Sequence, residues 1–289
     1  TRSGAIAMAM KASRLSGALG AELRGLDLSR SLSAGDVAAL RAALTEHLVV
    51  TVPDQAMTLD DLERLTDQLG GRAVTPFVKP MPDRPYVIRV LKEKEDKLNF
   101  ANAWHTDLSY LPEPPSFTLL YAHEVPDYGG DTVFQNQYLA YETLSDGLKE
   151  TLLRLRAVHS AGAAYGTGGY LDRVKHKMST EIAPSEEAFQ ECVHPAVVRH
   201  PESKRAALYV NPVYTMRFEG WSVPDSQALL QHIYRHQINE NFTARVRWAK
   251  GMLTIWDNRA TQHNALNDYH GQRREMFRTS VAGGRPQAA

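Results

Sequence analysis

Between Val87 and Val281 the chain reads as nine short apolar runs, and this pattern constrains its fold more than any other feature. The runs are Val87 to Leu91, Phe117 to Ala122, Thr132 to Asn136, Ala157 to Ser160, Val193 to Arg199, Ala207 to Val210, Thr243 to Trp248, Met252 to Trp256 and Arg274 to Val281. Clusters of Pro, Gly and Asn/Asp separate most of them, as they separate strands. Many short strands with long connections argue for a closed or double-layer β architecture, a jelly roll, with helices packed outside. The expected class is mainly β, with α+β content.

The helices are expected early and late. Ser33-Ala34-Gly35-Asp36 has capping-box spacing, with Asp in place of Glu, and precedes Val37, Leu40 and Leu44 on one helical face. Leu48 to Val52 then reads as a buried strand. Thr58 to Asp61 repeats the start signal before Leu59, Leu62, Leu65 and Leu69, and Gly70-Gly71 ends that helix. Two later helices are expected over Leu139 to Leu155 and Pro224 to Ile238. Neither an internal repeat nor a long linker divides the chain, so residues 1–289 are expected to form one domain. Lys92 to Lys97 reads as a solvated surface loop. Gly162 to Ser185 is polar and Gly-rich, and loops that long in compact domains are usually functional or disordered. An active-site lid is expected there.

Charge excludes some partners. Lys plus Arg and Asp plus Glu are both 33, so no net field argues for nucleic acid or an acidic membrane. The single cysteine, Cys192, excludes an internal disulfide framework and a Cys-based zinc cluster, and fits a reducing compartment. No apolar run approaches the ~20 residues of a membrane span, and Thr1 to Met10 is too short for a signal peptide. A soluble, cytoplasmic protein is expected.

Chemistry concentrates in His105-Thr106-Asp107 and, far downstream, His263. On an extended segment His105 and Asp107 project to the same side. Trp104 is expected to wall them, and Pro112-Glu113-Pro114-Pro115 to fix the chain beyond. His263 follows the Trp256-Asp257-Asn258 turn at the exit from a buried strand. Two imidazoles and one carboxylate are the ligand set of non-haem Fe(II), with three coordination positions left for cosubstrate and oxygen. If Arg274 to Val281 is a strand, Arg274, Met276 and Arg278 share a face, and two buried guanidinium groups need anions. A dicarboxylate such as 2-oxoglutarate could chelate iron and set its distal carboxylate on Arg274. Thr132 could donate a second hydrogen bond to it. Arg273 should point outward, and the remaining histidines are expected to pack or meet solvent. Two rivals stay open: a zinc hydrolase on the same triad, and a catalytically silent jelly-roll binding module.

These residues together resemble the taurine dioxygenase family, which includes the aryloxyalkanoate dioxygenases. The likeness covers nearly the whole chain. It runs from Gly17-Ala18-Leu19-Gly20-Ala21 and Gly25-Leu26-Asp27-Leu28, through Trp104-His105-Thr106-Asp107 and Gly129-Gly130-Asp131-Thr132, to Val193-His194-Pro195 and Tyr209-Val210-Asn211. It ends with Trp256-Asp257-Asn258-Arg259, His263 and Gln272-Arg273-Arg274. The resemblance implies a double-stranded β-helix core, Fe(II) on His105, Asp107 and His263, and 2-oxoglutarate held by Arg274 and Thr132. Arg278 matches the arginine that meets the substrate sulfonate in the taurine enzyme. With O2, such an enzyme hydroxylates a small organic anion (an aryloxyalkanoate, sulfonate or similar) next to a heteroatom, releasing succinate and CO2. Taurine, an alkylsulfonate or an alkyl sulfate is the alternative substrate. Dimers or tetramers are implied as well. Thr75 and Val78 stand where the taurine enzyme has a polar pocket edge, and Tyr165 and Tyr214 are expected to wall a bulkier anion.

Overall fold

The computed structural model describes residues 10–289, so nearly all of the Thr1 to Met10 segment lies outside it. In chain order its strands are β1 (Lys11–Arg14), β2 (Ala21–Arg24), β3 (Val49–Val52), β4 (Arg72–Ala73), β5 (Pro80–Met81) and β6 (Arg84–Lys92). Next come β7 (Phe117–Glu124), β8 (Thr132–Asn136), β9 (Arg156–Ser160), β10 (Glu191–Pro195), β11 (Val197–Arg199) and β12 (Ala206–Leu208). The last are β13 (Thr215–Phe218), β14 (Thr243–Val246), β15 (Leu253–Asp257), β16 (Thr261–Ala265) and β17 (Arg274–Val281). The helices are α1 (Ala34–His47), α2 (Leu59–Leu69), α3 (Gln137–Glu142), α4 (Asp146–Leu153), α5 (Gly162–Tyr165), α6 (Tyr170–Val174) and α7 (Val223–Gln237). Sheet dominates, with helices mixed in.

Both early caps form. The Ser33 side chain accepts from the Asp36 amide, and Thr58 and Asp61 make a reciprocal capping box. Leu48, at φ 64°, closes α1 and turns the chain straight into β3. Together α1 and α2 cover one face of a large sheet ordered β1-β2-β3-β15-β7-β17-β6-β5, with β4 beside β17. Leu40, Leu44, Leu62 and Leu65 fill that interface with Val50, Phe117 and Ile255.

The other face of the large sheet looks toward a three-stranded sheet, β14-β8-β16. Val90, Leu120, Trp256 and Met276 from the first meet Phe134, Ala244 and Val246 from the second in one buried cluster. Strand β17 shows the period of two that decides its chemistry. Met276 joins this inner cluster, while Val281 and Phe277 pack on the helix side. Arg274 and Arg278 therefore point inward.

Several expectations need correction. The stretch Leu139 to Leu155 is two helices rather than one, broken where Ser145 turns extended at ψ 151°. Val193 to Arg199 splits after Pro195, which has no N–H to continue a ladder: β10 pairs with β9, and β11 with β12. The 162–185 segment is not structureless, since α5, α6 and a short 3-10 turn fill much of it. Backbone bonds from Lys79 to Glu181 and from Ala183 to Phe77 pin its end. Among the described residues no helix is long and apolar enough to cross a membrane.

Candidate active site

Two backbone hydrogen bonds bring the distant histidines together. His105 N donates to His263 O at 3.1 Å, and His263 N donates back at 2.9 Å. His105 is thus a one-residue extension of the small sheet beside β16, and the imidazole centroids lie 4.2 Å apart. Asp107 follows where the chain turns sharply, Leu108 having φ 52°. Its Oδ1 sits 3.5 Å from His105 Nε2 and 3.8 Å from His263 Nε2. One ligand atom from each residue lies within 4.8 Å of the others, all three residues buried.

The surroundings fit a metal. His105 Nδ1 lies 2.7 Å from the Ala103 carbonyl, which can only accept, so Nδ1 carries a proton and Nε2 is the ring nitrogen turned toward Asp107. Asp107 Oδ2 accepts from Thr118 Oγ1 at 2.8 Å and Trp256 Nε1 at 3.1 Å, leaving Oδ1 for the centre. Asn258 Nδ2 donates to Thr118 Oγ1 at 2.9 Å and so turns the threonine proton toward Asp107. Burial alone would raise the Asp107 pKa, but Arg278, then His263 and His105, hold it well below the usual carboxylate range. Burial, aided by His105 and Arg278 and opposed by Asp107, pushes His263 down to about 3. The triad therefore rests as one carboxylate and neutral His263, the protonation a divalent cation requires.

Among the described residues, both inward arginines have buried donors that make no hydrogen bond. Arg274 is 3% exposed, its guanidinium 5.6 Å from the Trp248 ring, and its Nε and Nη2 are buried without a hydrogen bond. Trp248 Nε1 in turn donates to Thr132 Oγ1 at 3.0 Å. A narrow cavity of about 30 Å³ joins Thr132, Arg274, His263 and Arg278. Arg278 Nη2 is 3.1 Å from Asp107 Oδ1 without hydrogen-bond alignment, and its Nε has no partner. Such donors, taken out of water, are costly until an anion meets them. Arg273 points outward, as expected, to Glu93, Glu124 and Glu275.

A wider cavity of about 250 Å³ opens over His105, Asp107 and Arg278, with Thr75, Tyr165 and Tyr214 in its wall. Val78 does not line it. Its side chain is 4% exposed in the core, and its backbone bridges Ile182. Trp104 is likewise outside the wall; the indole beside the triad is Trp256, 4.8 Å from His263. Sequence reasoning passed over Trp256, Thr118, Asn258 and Trp248 as site residues. It also passed over Tyr110, whose ring lies 4.9 Å from Tyr214 and whose hydroxyl is buried without a partner.

Two other features resolve otherwise. His200, Glu202 and Asp257 also cluster. However, His200 Nδ1 accepts from the Glu202 and Ser203 amides while Nε2 faces Asp257 at 2.9 Å, so no ring nitrogen is free. A cavity of about 550 Å³ lies over this cluster, but Arg41 and Arg259 in its wall are already paired with Glu202.

Comparison with known proteins agrees with this geometry. The family described as taurine catabolism dioxygenase TauD, TfdA family, matches residues 11–280. An alpha-ketoglutarate-dependent sulfate ester dioxygenase from Pseudomonas putida is 35% identical, over 93% of this chain and 88% of its own. An alkylsulfatase from Acinetobacter baylyi is 32% identical, over 93% and 84%. The crystal structure of a taurine dioxygenase from Burkholderia xenovorans superposes with a TM-score of 0.79 at 31% identity, over 96% of this chain and 92% of that one. The chain belongs to the TauD/TfdA family and is a dioxygenase that works with Fe(II), 2-oxoglutarate and O2.

Proposed function

We propose that this dioxygenase hydroxylates a small organic anion, foremost an alkyl sulfate ester or sulfonate, on the carbon next to the heteroatom. The observation that carries the reading is the pair of guanidinium groups, Arg274 and Arg278, buried on one face of β17 beside the triad with N–H donors that make no hydrogen bond; Arg278 has only Asp107 within ion-pair distance, and Arg274 has no carboxylate there among the described residues. His105, Asp107 and His263 hold the iron. The two facing sheets are the layers of a double-stranded β-helix, and strands from both ends of the chain share the larger one, as in a single domain. Relatives that act on sulfate esters support the substrate class.

When bound, iron and 2-oxoglutarate supply the oxidising chemistry: O2 is consumed, succinate and CO2 leave, and a substrate C–H becomes C–OH. The protein contributes charge and position. Arg274 grips the distal carboxylate of 2-oxoglutarate through parallel N–H bonds, with Thr132 donating beside it. Arg278 takes the substrate anion and so fixes which carbon faces the triad. Tyr165 and Tyr214 pack on the organic part; both hydroxyls stay neutral, burial having raised their pKa values. The 162–185 segment, which brings Tyr165 to the cavity wall, serves as a lid that keeps water out. A hydroxylated sulfate ester then collapses to an aldehyde and bisulfate without further help.

Aromatic walls also suit an aryloxyalkanoate, so one panel decides. Succinate release is measured with alkyl sulfates, alkylsulfonates and phenoxyalkanoates. A sulfate ester or sulfonate should stimulate it most, and Arg278→Met should cut kcat/KM at least ~100-fold, the worth of a lost charge-assisted pair. Unchanged kcat/KM in Arg278→Met, or no response to any organic anion, would sink the reading.

A further inference from the structure

Asn211, which lies outside the triad and both cavities of the site, is 1% exposed, and the three hydrogen bonds of its side chain all go to the site's framework. Its Oδ1 accepts from the amides of Tyr214 at 2.9 Å and Val213 at 3.2 Å, which shapes the turn that presents Tyr214 to the cavity. Its Nδ2 donates to Ser109 Oγ at 2.9 Å. Ser109 belongs to the other side of the site, two residues beyond Asp107. Its own backbone neighbour Leu108 lines the cavity and holds φ 52°, a left-handed conformation that costs a bulky residue free energy. Such strain persists only where neighbours over-determine it.

Leu111 N–H closes the turn onto the Leu108 carbonyl at 2.9 Å, and the Ser109 hydroxyl adds a side-chain restraint beside it. The hydroxyl is wholly buried and, with one lone pair filled by the Asn211 amide, shares a hydrogen bond with His159 Nδ1 at 3.1 Å. His159 is wholly buried on β9 and stays neutral, because burial and the neighbouring His194 push its pKa down to about 3. The backbone of Asn211 is fixed too: its N–H donates to Thr215 Oγ1 at 2.9 Å and its carbonyl accepts from Tyr234 OH at 3.0 Å. One amide side chain thus spans from the wall carrying Tyr214 to the turn carrying Asp107.

We infer that Asn211 and Ser109 form a positioning pair that locks the Asp107 turn to the Tyr214 wall, so that the metal-binding carboxylate and the surface packing the substrate move as one body. Neither residue touches the reacting atoms. Their role is to keep the hydroxylated carbon in register with the centre, and thereby to couple 2-oxoglutarate consumption to substrate oxidation. The inference rests on the reading of His105, Asp107 and His263 as the metal ligands.

Ser109→Ala removes the shared hydroxyl, and Ser109→Thr restores one. If the alanine variant does not fold, Ser109→Cys, of nearly equal volume and with a weak donor, takes its place. Three measurements are made on full-length protein. The first is the visible absorption of the anaerobic Fe(II)·2-oxoglutarate complex. The second is amide hydrogen exchange in the Mn(II)·2-oxoglutarate complex. The third is the ratio of 2-oxoglutarate consumed to hexyl sulfate oxidised. Ser109→Ala should keep the absorption band but exchange at least tenfold faster at Val213 to Thr215, far from the substitution in sequence. It should also consume several 2-oxoglutarate molecules per oxidation, or, if hexyl sulfate is not turned over, show the exchange change alone. Ser109→Thr should return both readings toward wild type. Wild-type exchange at Val213 to Thr215 in Ser109→Ala would overturn the inference, as would faster exchange that Ser109→Thr fails to slow. A wild-type protein with no absorption band would instead overturn the metal-site reading, and this inference with it.

Discussion

The Trp256 side chain has a single hydrogen-bonding atom, and it donates to the oxygen of Asp107 that faces away from the two imidazoles. Partners of this kind orient a ligand and typically change metal affinity ~10–100-fold. Trp256→Phe keeps most of the ring against Phe134 and His263 while removing the donor. Its Fe(II) affinity should fall by about that factor in an anaerobic titration, with the circular dichroism unchanged; undiminished affinity would mean that Thr118 alone orients the carboxylate. The contrast between Trp256 and the triad explains what the sequence let us read. A His-x-Asp pair alone occurs often by chance; it became informative only together with His263 and the same-face arginines, a combination with few purely structural uses. Trp256, Thr118 and Asn258 act through hydrogen bonds to a ligand, yet in the sequence they look like ordinary residues of buried strands and turns. Val78 misled for the opposite reason. A position can be matched to a family pocket, but the φ 65° turn at Phe77 decides which of Thr75 and Val78 faces the cavity.

Elements were legible where apolar period and punctuation agreed. Strands β8 and β17 lie where the alternation puts them, and both capping signals start real helices. Strand β16, Thr-Gln-His-Asn-Ala, has no apolar alternation to reveal it; it exists because β8 pairs with it residue for residue. That pairing is non-local, and a single sequence carries no trace of it. The 162–185 segment was legible as glycine-rich but not as helical, and Gly166 now has a reason. A Cβ on Gly166 would stand 2.6 Å from the Gly162 carbonyl oxygen, a backbone atom that cannot rotate away, and against the Phe189 ring as well. Gly166→Ala must therefore shift the end of α5, and Tyr165 with it. Displacements near 1 Å cost up to ~100-fold in positioned reactions. We expect the KM for the organic substrate to rise about tenfold while the KM for 2-oxoglutarate holds, since Arg274 lies on another element. Equal KM values in variant and wild type would show that this segment does not close on substrate.

Across the whole molecule formal charge sums to zero, but in the interior charges and polar groups are not matched one to one. The fold buries neutral histidines and arginines whose donors are not all hydrogen-bonded, and each leaves a mark on stability. For His159 the folded pKa is about 3 against an ordinary 6.5, so below 6.5 the unfolded chain binds a proton that the fold excludes. Unfolding free energy should then fall as pH drops from about 6.5 toward about 3 and level off above 6.5. Urea titrations from pH 7.5 to 4.5 check the slope, which His159→Gln should lessen. The arginines respond to ligand instead. Arg274 and Arg278 are 3% and 6% exposed, and among the described residues Asp107 is the only carboxylate within ion-pair distance of either. Mn(II), which does not turn over, with 2-oxoglutarate supplies the missing counter-charge only to the folded state. At a hundredfold excess over Kd that stabilises by ~2.7 kcal/mol, or roughly 5 °C in Tm for a chain of this size. Pyruvate has the keto-acid end without the distal carboxylate, so it can reach the metal but not Arg274, and should raise Tm by less than half as much. In Arg274→Met the two keto acids should become equivalent, because the group that distinguishes them is gone. If 2-oxoglutarate still outperforms pyruvate in that variant, the distal carboxylate binds elsewhere, and the buried charge of Arg274 serves the fold rather than the cosubstrate.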